Sequence, residues 1–148
     1  MPDHIRQTIR EAVVTAVTGL TTTGSNVYDS RVVPVETQTL PCLLVYASSE
    51  TVEVETLGSA RSLLRELEVV VEGVAKATSS IEDTLDLIGK EVEVAIGGGP
   101  TLSGACDDIH LTGVELLLSG ESETPHGTVK MTFAAFYSTP ENDPTTSR

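Results

Sequence analysis

The sequence predicts an α+β fold in which two α-helices cover one antiparallel or mixed β-sheet. Two segments carry apolar residues at spacings of three and four, which is the pattern of an amphipathic helix, and the runs between and after them indicate strands. The elements follow one another as helix, two strands, long strand, helix and two strands. A chain of 148 residues is long enough to form one domain of this kind.

The first helix is predicted close to the amino end of the chain. Its apolar stripe consists of Ile5, Ile9, Val13, Ala16 and Leu20. Asp3 is positioned to cap the first turn, and the polar stretch 21–26 ends the pattern. Such a helix has one apolar face, so it needs a sheet or a second helix to lie against.

Three strands are predicted in the middle of the chain. The apolar run 42–47 and the alternating run 51–56 indicate a hairpin that turns at Ser48 and Ser49. Residues 62–74 form the longest predicted strand, in which successive side chains point to opposite faces. One face carries Leu63, Leu67, Val69 and Val71, and the other carries Glu66, Glu68 and Glu72 with Leu64 and Val70. This strand therefore combines a core face with an acidic outer face.

A second helix and a closing pair of strands complete the predicted domain. The helix begins at a capping box, residues 79–82, and ends at the glycines that start at Gly97. Its apolar stripe consists of Ile81, Leu85, Ile88, Val92 and Ile96. Residues 109–119 and 128–137 are predicted to pair as antiparallel strands. Because the remaining residues are polar, we expect one domain over residues 1–137 and a flexible tail over residues 138–148.

The composition excludes several classes of protein. The chain has 9 Lys and Arg against 22 Asp and Glu, and its net charge of -13 would repel a phosphate backbone. No apolar run approaches the roughly 20 residues of a membrane-spanning helix, so we expect no membrane partner. The amino end shows no secretory signal, which predicts a cytosolic protein. Cys42 and Cys106 are accordingly expected to be reduced, packed thiols.

The clusters that could carry chemistry have simpler explanations. Residues 106–110 combine a thiol, two carboxylates and an imidazole, but they lack the paired spacing of a zinc site. Residues 99–104 have the outer spacing of a phosphate-binding loop without its lysine and hydroxyl. Glu82, Asp83 and Asp86 suit a helix start, where acids are favourable, better than a calcium site. We therefore expect no enzyme activity, no catalytic residue, no cofactor and no metal.

Several short stretches between residues 27 and 139 follow an order and spacing found in one known family. They are VYDSRVVP at 27–34, LPCLLVY at 40–46, RELEVVVE at 65–72, DTLD at 83–86, TLSG at 101–104 and a strand from Gly127 that ends in FYST at 136–139. In these stretches the chain resembles the tail terminator proteins of long-tailed bacteriophages, the family similar to minor tail protein U. Cys42 stands where we expect a small residue such as alanine, and residues 1–26 resemble the family only as a helix.

The resemblance implies a structural virion protein. It implies a hexameric ring that docks on the end of the tail tube protein, stops tube polymerisation and presents a surface to the head-completion or connector protein. The ring would lie at the head-proximal end of the phage tail after assembly in the cytoplasm of the bacterial host. Viral DNA would pass through it without specific binding. No catalytic residue comes with the resemblance.

The acidic strand face is the candidate interface with another subunit or with a partner. The candidate residues are Arg31, Glu53, Glu55, Arg61, Arg65, Glu66, Glu68 and Glu72. Carboxylates at alternate strand positions point the same way and repel one another, so we expect them to pair with arginines of another subunit or to line a negative lumen. Two alternatives stay open. One is another head-to-tail connector or a tail tube subunit, and the other is an acidic ligand-binding domain of cellular origin.

Overall fold

The computed structural model describes residues 3–29, 40–58, 61–76, 79–99, 101–119 and 126–146. In chain order the elements are α1 (Ile5–Val17), β1 (Val27–Tyr28), β2 (Cys42–Val54), β3 (Ser62–Lys76), α2 (Ile81–Gly97), β4 (Asp108–Ser119) and β5 (His126–Pro140). The strands form one open sheet in the order β1-β2-β3-β5-β4. β1 pairs with β2 in parallel, and the three other pairings are antiparallel. The predicted α+β fold with a mixed sheet and two helices is confirmed.

The hydrophobic core lies between the two helices and one face of the sheet. The helices contribute Ile9, Val13, Val17, Leu85, Ile88, Val92 and Ile96, all of them buried. The central strands contribute alternate residues, such as Val69 and Val71 of β3 and Phe133 and Tyr137 of β5. The predicted faces of β3 are therefore correct, because burial on one face of a strand imposes a period of two on its sequence.

The predicted hairpin turn at Ser48 and Ser49 is wrong. β2 runs through both serines as one strand, and its pairing with β3 shifts register between Ala47 and Ser49. This shift marks a β-bulge, in which one extra residue is absorbed without ending the strand. The hairpin turns instead after Val54, where the amide of Glu55 donates to the carbonyl of Ser62 at 2.8 Å.

The helix starts also differ from the prediction. His4, not Asp3, caps α1, because its Nδ1 accepts a hydrogen bond from the Arg6 amide at 3.0 Å. Burial, with the nearby Arg6 guanidinium, lowers the pKa of His4 and favours the neutral ring that can accept this bond. The N-cap of α2 is Ser80, whose side chain makes no capping hydrogen bond, so the predicted capping box does not form.

The two ends of the described chain meet. β5 continues to Pro140, so the sheet includes the first three residues of the segment that was expected to be a tail, and Thr139 is fully buried. Beyond the strand, the carbonyl of Pro144 accepts a hydrogen bond from the Ile5 amide at 3.0 Å. No helix within the described part of the chain is long and apolar enough to cross a membrane.

The contact between α2 and β3 generates a stability prediction. A Cβ at Gly73 would lie 2.5 Å from Ile88 Cγ2 and 3.0 Å from Val129 Cγ1, so Gly73→Ala overpacks the core. We expect the free energy of unfolding to fall by about 1–3 kcal/mol, measured by urea denaturation. Gly113→Ala is the control, since its Cβ would meet nothing within 4 Å, and its effect should stay within about 0.5 kcal/mol. Equal effects of the two variants would contradict the close approach of helix and sheet.

Candidate functional site

A row of five glutamates lies on the sheet face that points away from the helices. Glu66, Glu68 and Glu72 alternate along β3 with core residues, and Glu53 is paired with Leu64 on the same face. Glu55 follows β2, and its Oε1 accepts a hydrogen bond from the Ser62 hydroxyl at 3.0 Å. We call these five residues the acidic stripe. Glu72 is half-buried and the other four are exposed, so most of the stripe is accessible to a partner.

Glu53, Glu55, Glu66 and Glu68 lie at one end of the sheet face, whereas Glu72 lies towards the other end and is paired with Leu44. Towards the other end, Cys42, Leu44 and Val74 form a small buried apolar cluster against Tyr28 and Leu40. Around Glu72 the face is therefore partly covered by the side chains of Tyr28 and Leu40. The end that carries Glu53, Glu55, Glu66 and Glu68 is exposed.

The predicted basic partners of the stripe lie in different places. Arg61 Nη1 is 3.3 Å from Glu141 Oε1, and both side chains are exposed. Arg65 lies on the opposite, helix-covered face, where its side chain is 11% exposed and its Nη1 is 2.8 Å from Glu50 Oε1. Within one subunit the fold thus separates Arg65 from the stripe. Arg31 lies outside the described residues.

Glu50 is the centre of a buried polar cluster that the sequence reasoning missed. Its Oε1 accepts hydrogen bonds from Arg65 at 2.8 Å and from Arg6 at 3.0 Å, and its Oε2 accepts from the Tyr137 hydroxyl. Burial and the bond to Glu50 raise the pKa of Tyr137, which keeps the phenol protonated as a donor. We call Arg6, Glu50, Arg65 and Tyr137 the Glu50 cluster. It joins α1, β2, β3 and β5.

One signal could have revealed this cluster. Arg65 occupies a core-facing position of β3, between Leu63 and Leu67 in the alternation. A charged side chain at such a position requires a partner inside the fold. Glu50 is the partner, but its sequence neighbours, two serines and a threonine, resemble those of an exposed residue.

The fold brings only two members of the cluster at residues 106–110 together, since His110 Nδ1 lies 3.5 Å from Asp108 Oδ2 and the Cys106 thiol lies apart from both. Cys106 packs in the core below the helices, and burial raises the pKa of its thiol to about 11. His110 is exposed on the opposite sheet face, where it stacks on Phe136 with ring centroids 5.7 Å apart. Among the described residues, no group of three or more His, Cys, Asp or Glu side chains could hold a metal ion. Both cysteines are buried free thiols.

The sheet edges carry the large exposed apolar side chains. β4 is an edge strand, and Val114, Leu116, Leu117 and Leu118 are each at least 45% exposed. On β2, beyond the two residues that pair with β1, Val52 and Val54 are 45% and 53% exposed. Exposed apolar side chains grouped near the edge of a sheet are typical of a surface that another chain covers.

A comparison with protein families shows which family the chain belongs to. A family model described as phage minor tail protein U matches residues 4–137, which include both helices and the sheet up to Tyr137. The chain belongs to the phage minor tail protein U family. It is therefore a structural component of the phage tail and of the virion, and it acts through contacts within the tail. Membership of a structural family points to a non-enzymatic role. No curated protein matches the chain.

The Glu50 cluster generates a stability prediction for this tail protein. Glu50→Ala leaves the Arg65 guanidinium buried without its carboxylate partner, which is 7% exposed in the intact protein. We expect the free energy of unfolding to fall by about 3–5 kcal/mol in urea denaturation. Adding Arg65→Met to Glu50→Ala removes the stranded charge and should recover part of the loss.

The matched control is Glu53→Ala. Glu53 lies on the same strand but is exposed, so its replacement should change stability by no more than about 0.5 kcal/mol. If Glu50→Ala and Glu53→Ala had the same small effect, the Glu50 cluster would not stabilise the fold.

Proposed function

We propose that this protein is the tail terminator of a long-tailed phage. In this role six copies form a ring that docks on the end of the tail tube, ends tube polymerisation and offers an attachment surface to the head-completion or connector protein. The observation that carries the proposal is the match to the minor tail protein U family over residues 4–137. The ring lies at the head-proximal end of the tail and assembles in the cytoplasm of the bacterial host.

The exposed apolar edges support assembly into a ring. A terminator must bind copies of itself as well as the tube, and each contact needs apolar surface that is accessible in the free subunit. Val114 and Leu116 of β4, with Val52 and Val54 of β2, provide such surface on two strands of the sheet. Because the two strands differ, a contact between them is head-to-tail, and such a contact forms a ring when its repeated rotation closes.

The acidic stripe suits the wall of a channel through which DNA must pass. Exposed carboxylates repel the phosphate backbone, so they keep DNA mobile in a channel and prevent specific binding. The stripe, on the sheet face that points away from the helices, has room to line such a channel. Pairing of some stripe residues with Arg61 or Arg31 of a neighbouring subunit is the other use that the proposal allows.

Ring formation tests the proposal directly. We expect the purified protein to form closed rings without metal or nucleotide, seen by negative-stain electron microscopy and by light scattering after gel filtration. Rings added to polymerising tail tube protein should cap the tubes and halt their elongation. Open tubes of this chain alone would support a tube subunit instead. A monomer at tens of micromolar that also fails to cap tubes would overturn the terminator assignment.

Neutralising the acidic stripe tests its role. Glu66→Gln, Glu68→Gln and Glu72→Gln, made singly and together, should change monomer stability by no more than about 0.5 kcal/mol per site, because these are surface substitutions. Ring formation or DNA passage during infection should be impaired in the triple variant.

The control neutralises two exposed acids on the helices, Glu11→Gln with Asp83→Asn, and should leave assembly and infection unchanged. An unfolded triple variant would make the stripe a structural element. A triple variant that folds, assembles and infects normally would show that the stripe only aids solubility.

A further inference from the structure

The edge strand β4 exposes a run of apolar side chains. Every residue from 112 to 118 is exposed, and Glu115 is the one charged residue among them. The large apolar side chains of this run, which we call the β4 patch, are Val114, Leu116, Leu117 and Leu118. Edge strands are usually protected by charges or by a covering segment, so a patch of this kind needs another piece of chain over it.

The β4 patch extends over both faces of the strand. Val114 and Leu116 pair with Met131 and Val129, two core residues of β5, so they point to the helix side of the sheet. They are nevertheless 52% and 54% exposed, so α2 leaves this side of the edge strand open. Leu117 is 45% exposed on the opposite face. Whatever covers the patch must therefore reach both sides of the edge.

One part of the chain outside the described residues combines apolar character with length. Residues 30–39 include Val32, Val33 and Val35, whereas the other stretches outside the described ranges contain no valine, leucine or isoleucine. Ten residues span at most about 35 Å, so a segment that is fixed at both ends reaches about 15 Å away from them. This is roughly three times the distance between neighbouring strands.

Both ends of this segment are fixed at the β1 edge of the sheet. Before it, Asp29 Oδ1 accepts a hydrogen bond from Arg10 Nε of α1 at 2.8 Å. After it, Leu40 packs with Tyr28 against the small apolar cluster on the sheet face that points away from the helices. The segment thus starts beside the helix layer and ends on the other face, and the β4 patch is exposed on the same two faces.

The strand register places the ends of the segment level with the β4 patch. Leu116 pairs with Val129, Val129 with Gly73, Gly73 with Leu43, and Leu43 with Val27. These five residues form one row across the sheet. The segment begins three residues after Val27 and ends four residues before Leu43. Its two ends and the patch therefore lie at the same level, at opposite edges of the sheet.

Charge also permits the segment to approach the patch. On the α1 side of α2, Glu91 Oε1 accepts a hydrogen bond from an amide of the loop after α1 at 2.9 Å. At about 3.6 residues per turn, the opposite flank of α2, towards β4, carries the exposed acids Glu82, Asp86 and Glu93. In the segment Arg31 balances Glu36, so residues 30–39 are neutral in a chain of net charge -13. A neutral segment with a cation is not repelled by this flank.

We propose that residues 30–39 of one copy cover the β4 patch of the next copy. This inference rests on the ring proposed above and assigns its subunit interface. The β4 strand of the same copy lies three strand spacings from β2, about 14 Å away, with β3 and β5 between them. In a ring whose axis runs along the strands, rotation preserves the level and brings the β4 edge of a neighbour to the β1 edge.

Cross-linking tests which copy the segment contacts. The variant carries Val33→Cys with Leu116→Cys, and its rings are treated with a short bifunctional maleimide. We expect covalent chains up to the full ring in denaturing electrophoresis, because each copy contributes one thiol to each of its two interfaces. The native cysteines are buried, and burial raises the pKa of both thiols to about 11, so they react slowly.

Two controls accompany the cross-linking. An equal mixture of the two single variants should give nothing larger than a covalent dimer. Val33→Cys with Val94→Cys, at a 67% exposed apolar site on α2, should give no covalent chains. A monomer that is cross-linked within itself would show that the segment covers its own β4, and intact rings without cross-links would show that it lies elsewhere. Either result overturns the inference.

Assembly measurements give a second test. Val33→Asp and Leu116→Lys each place a charge in the proposed contact, and we expect each to raise the protein concentration at half-assembly about tenfold or more. Thr37→Asp in the same segment and Val94→Lys on α2 are the matched controls and should assemble like the wild type. Far-UV circular dichroism and urea denaturation confirm that each variant is folded.

The outcomes separate this inference from the proposed function. A wild-type protein that forms no ring overturns the ring and the interface together. Wild-type rings with normal assembly of both Val33→Asp and Leu116→Lys overturn only the interface. Covalent chains up to the full ring, with both controls as expected, support the contact between residues 30–39 and the β4 patch.

Discussion

The β-bulge at Ser48 decides on which face of the sheet every later side chain of β2 lies. Before the bulge, Val45 and Ala47 face the helices, and after it Glu50 and Val52 do. A regular strand would turn Glu50 to the opposite face, because side chains alternate with a period of two. The one extra residue therefore places Glu50 beside Arg65 inside the fold and, by the same shift, places Glu53 among the glutamates of β3.

The hydrogen bonds of the Glu50 cluster make the position of Glu50 depend on several elements of the fold at once. Taking a carboxylate and a guanidinium out of water is costly, and their attraction offsets the cost only when the remaining hydrogen-bonding groups are also satisfied. Here the carboxylate bonds Arg6, Arg65 and Tyr137, and Arg65 Nε donates to Thr139 Oγ1 at 3.0 Å. The cluster is complete only when α1, β2, β3 and β5 are all in position, so it couples the exposed hairpin to the core.

The sequence predicted the features that repeat along the chain and missed those that depend on one residue. Burial of a helix stripe or strand face recurs every few residues, which is why α2 and the two faces of β3 were correct. In the sequence, a bulge changes only the phase of the alternation between the two faces of a strand. The two serines at that point resemble a turn. In the sequence, Glu50 resembles an exposed glutamate. Its role follows only from Arg65, because a charged side chain at a core-facing position requires a partner inside the fold. The alternation placed the stripe glutamates on one face, but what they contact depends on other chains.

The two faces of the sheet differ, and this difference makes the strong net charge of the subunit compatible with self-association. Two copies that each carry -13 repel at long range, so association requires local contacts in which charge is complementary and apolar surface is buried. Apolar surface that is accessible in the free subunit is present on β2, at Val52 and Val54, and on β4, at Val114, Leu116 and Leu118, and these side chains point to the helix-covered face. In the proposed ring, the acidic stripe lies on the opposite face of the same sheet. Subunit attraction and DNA repulsion then act on different surfaces of the same sheet, so one can be strong without weakening the other.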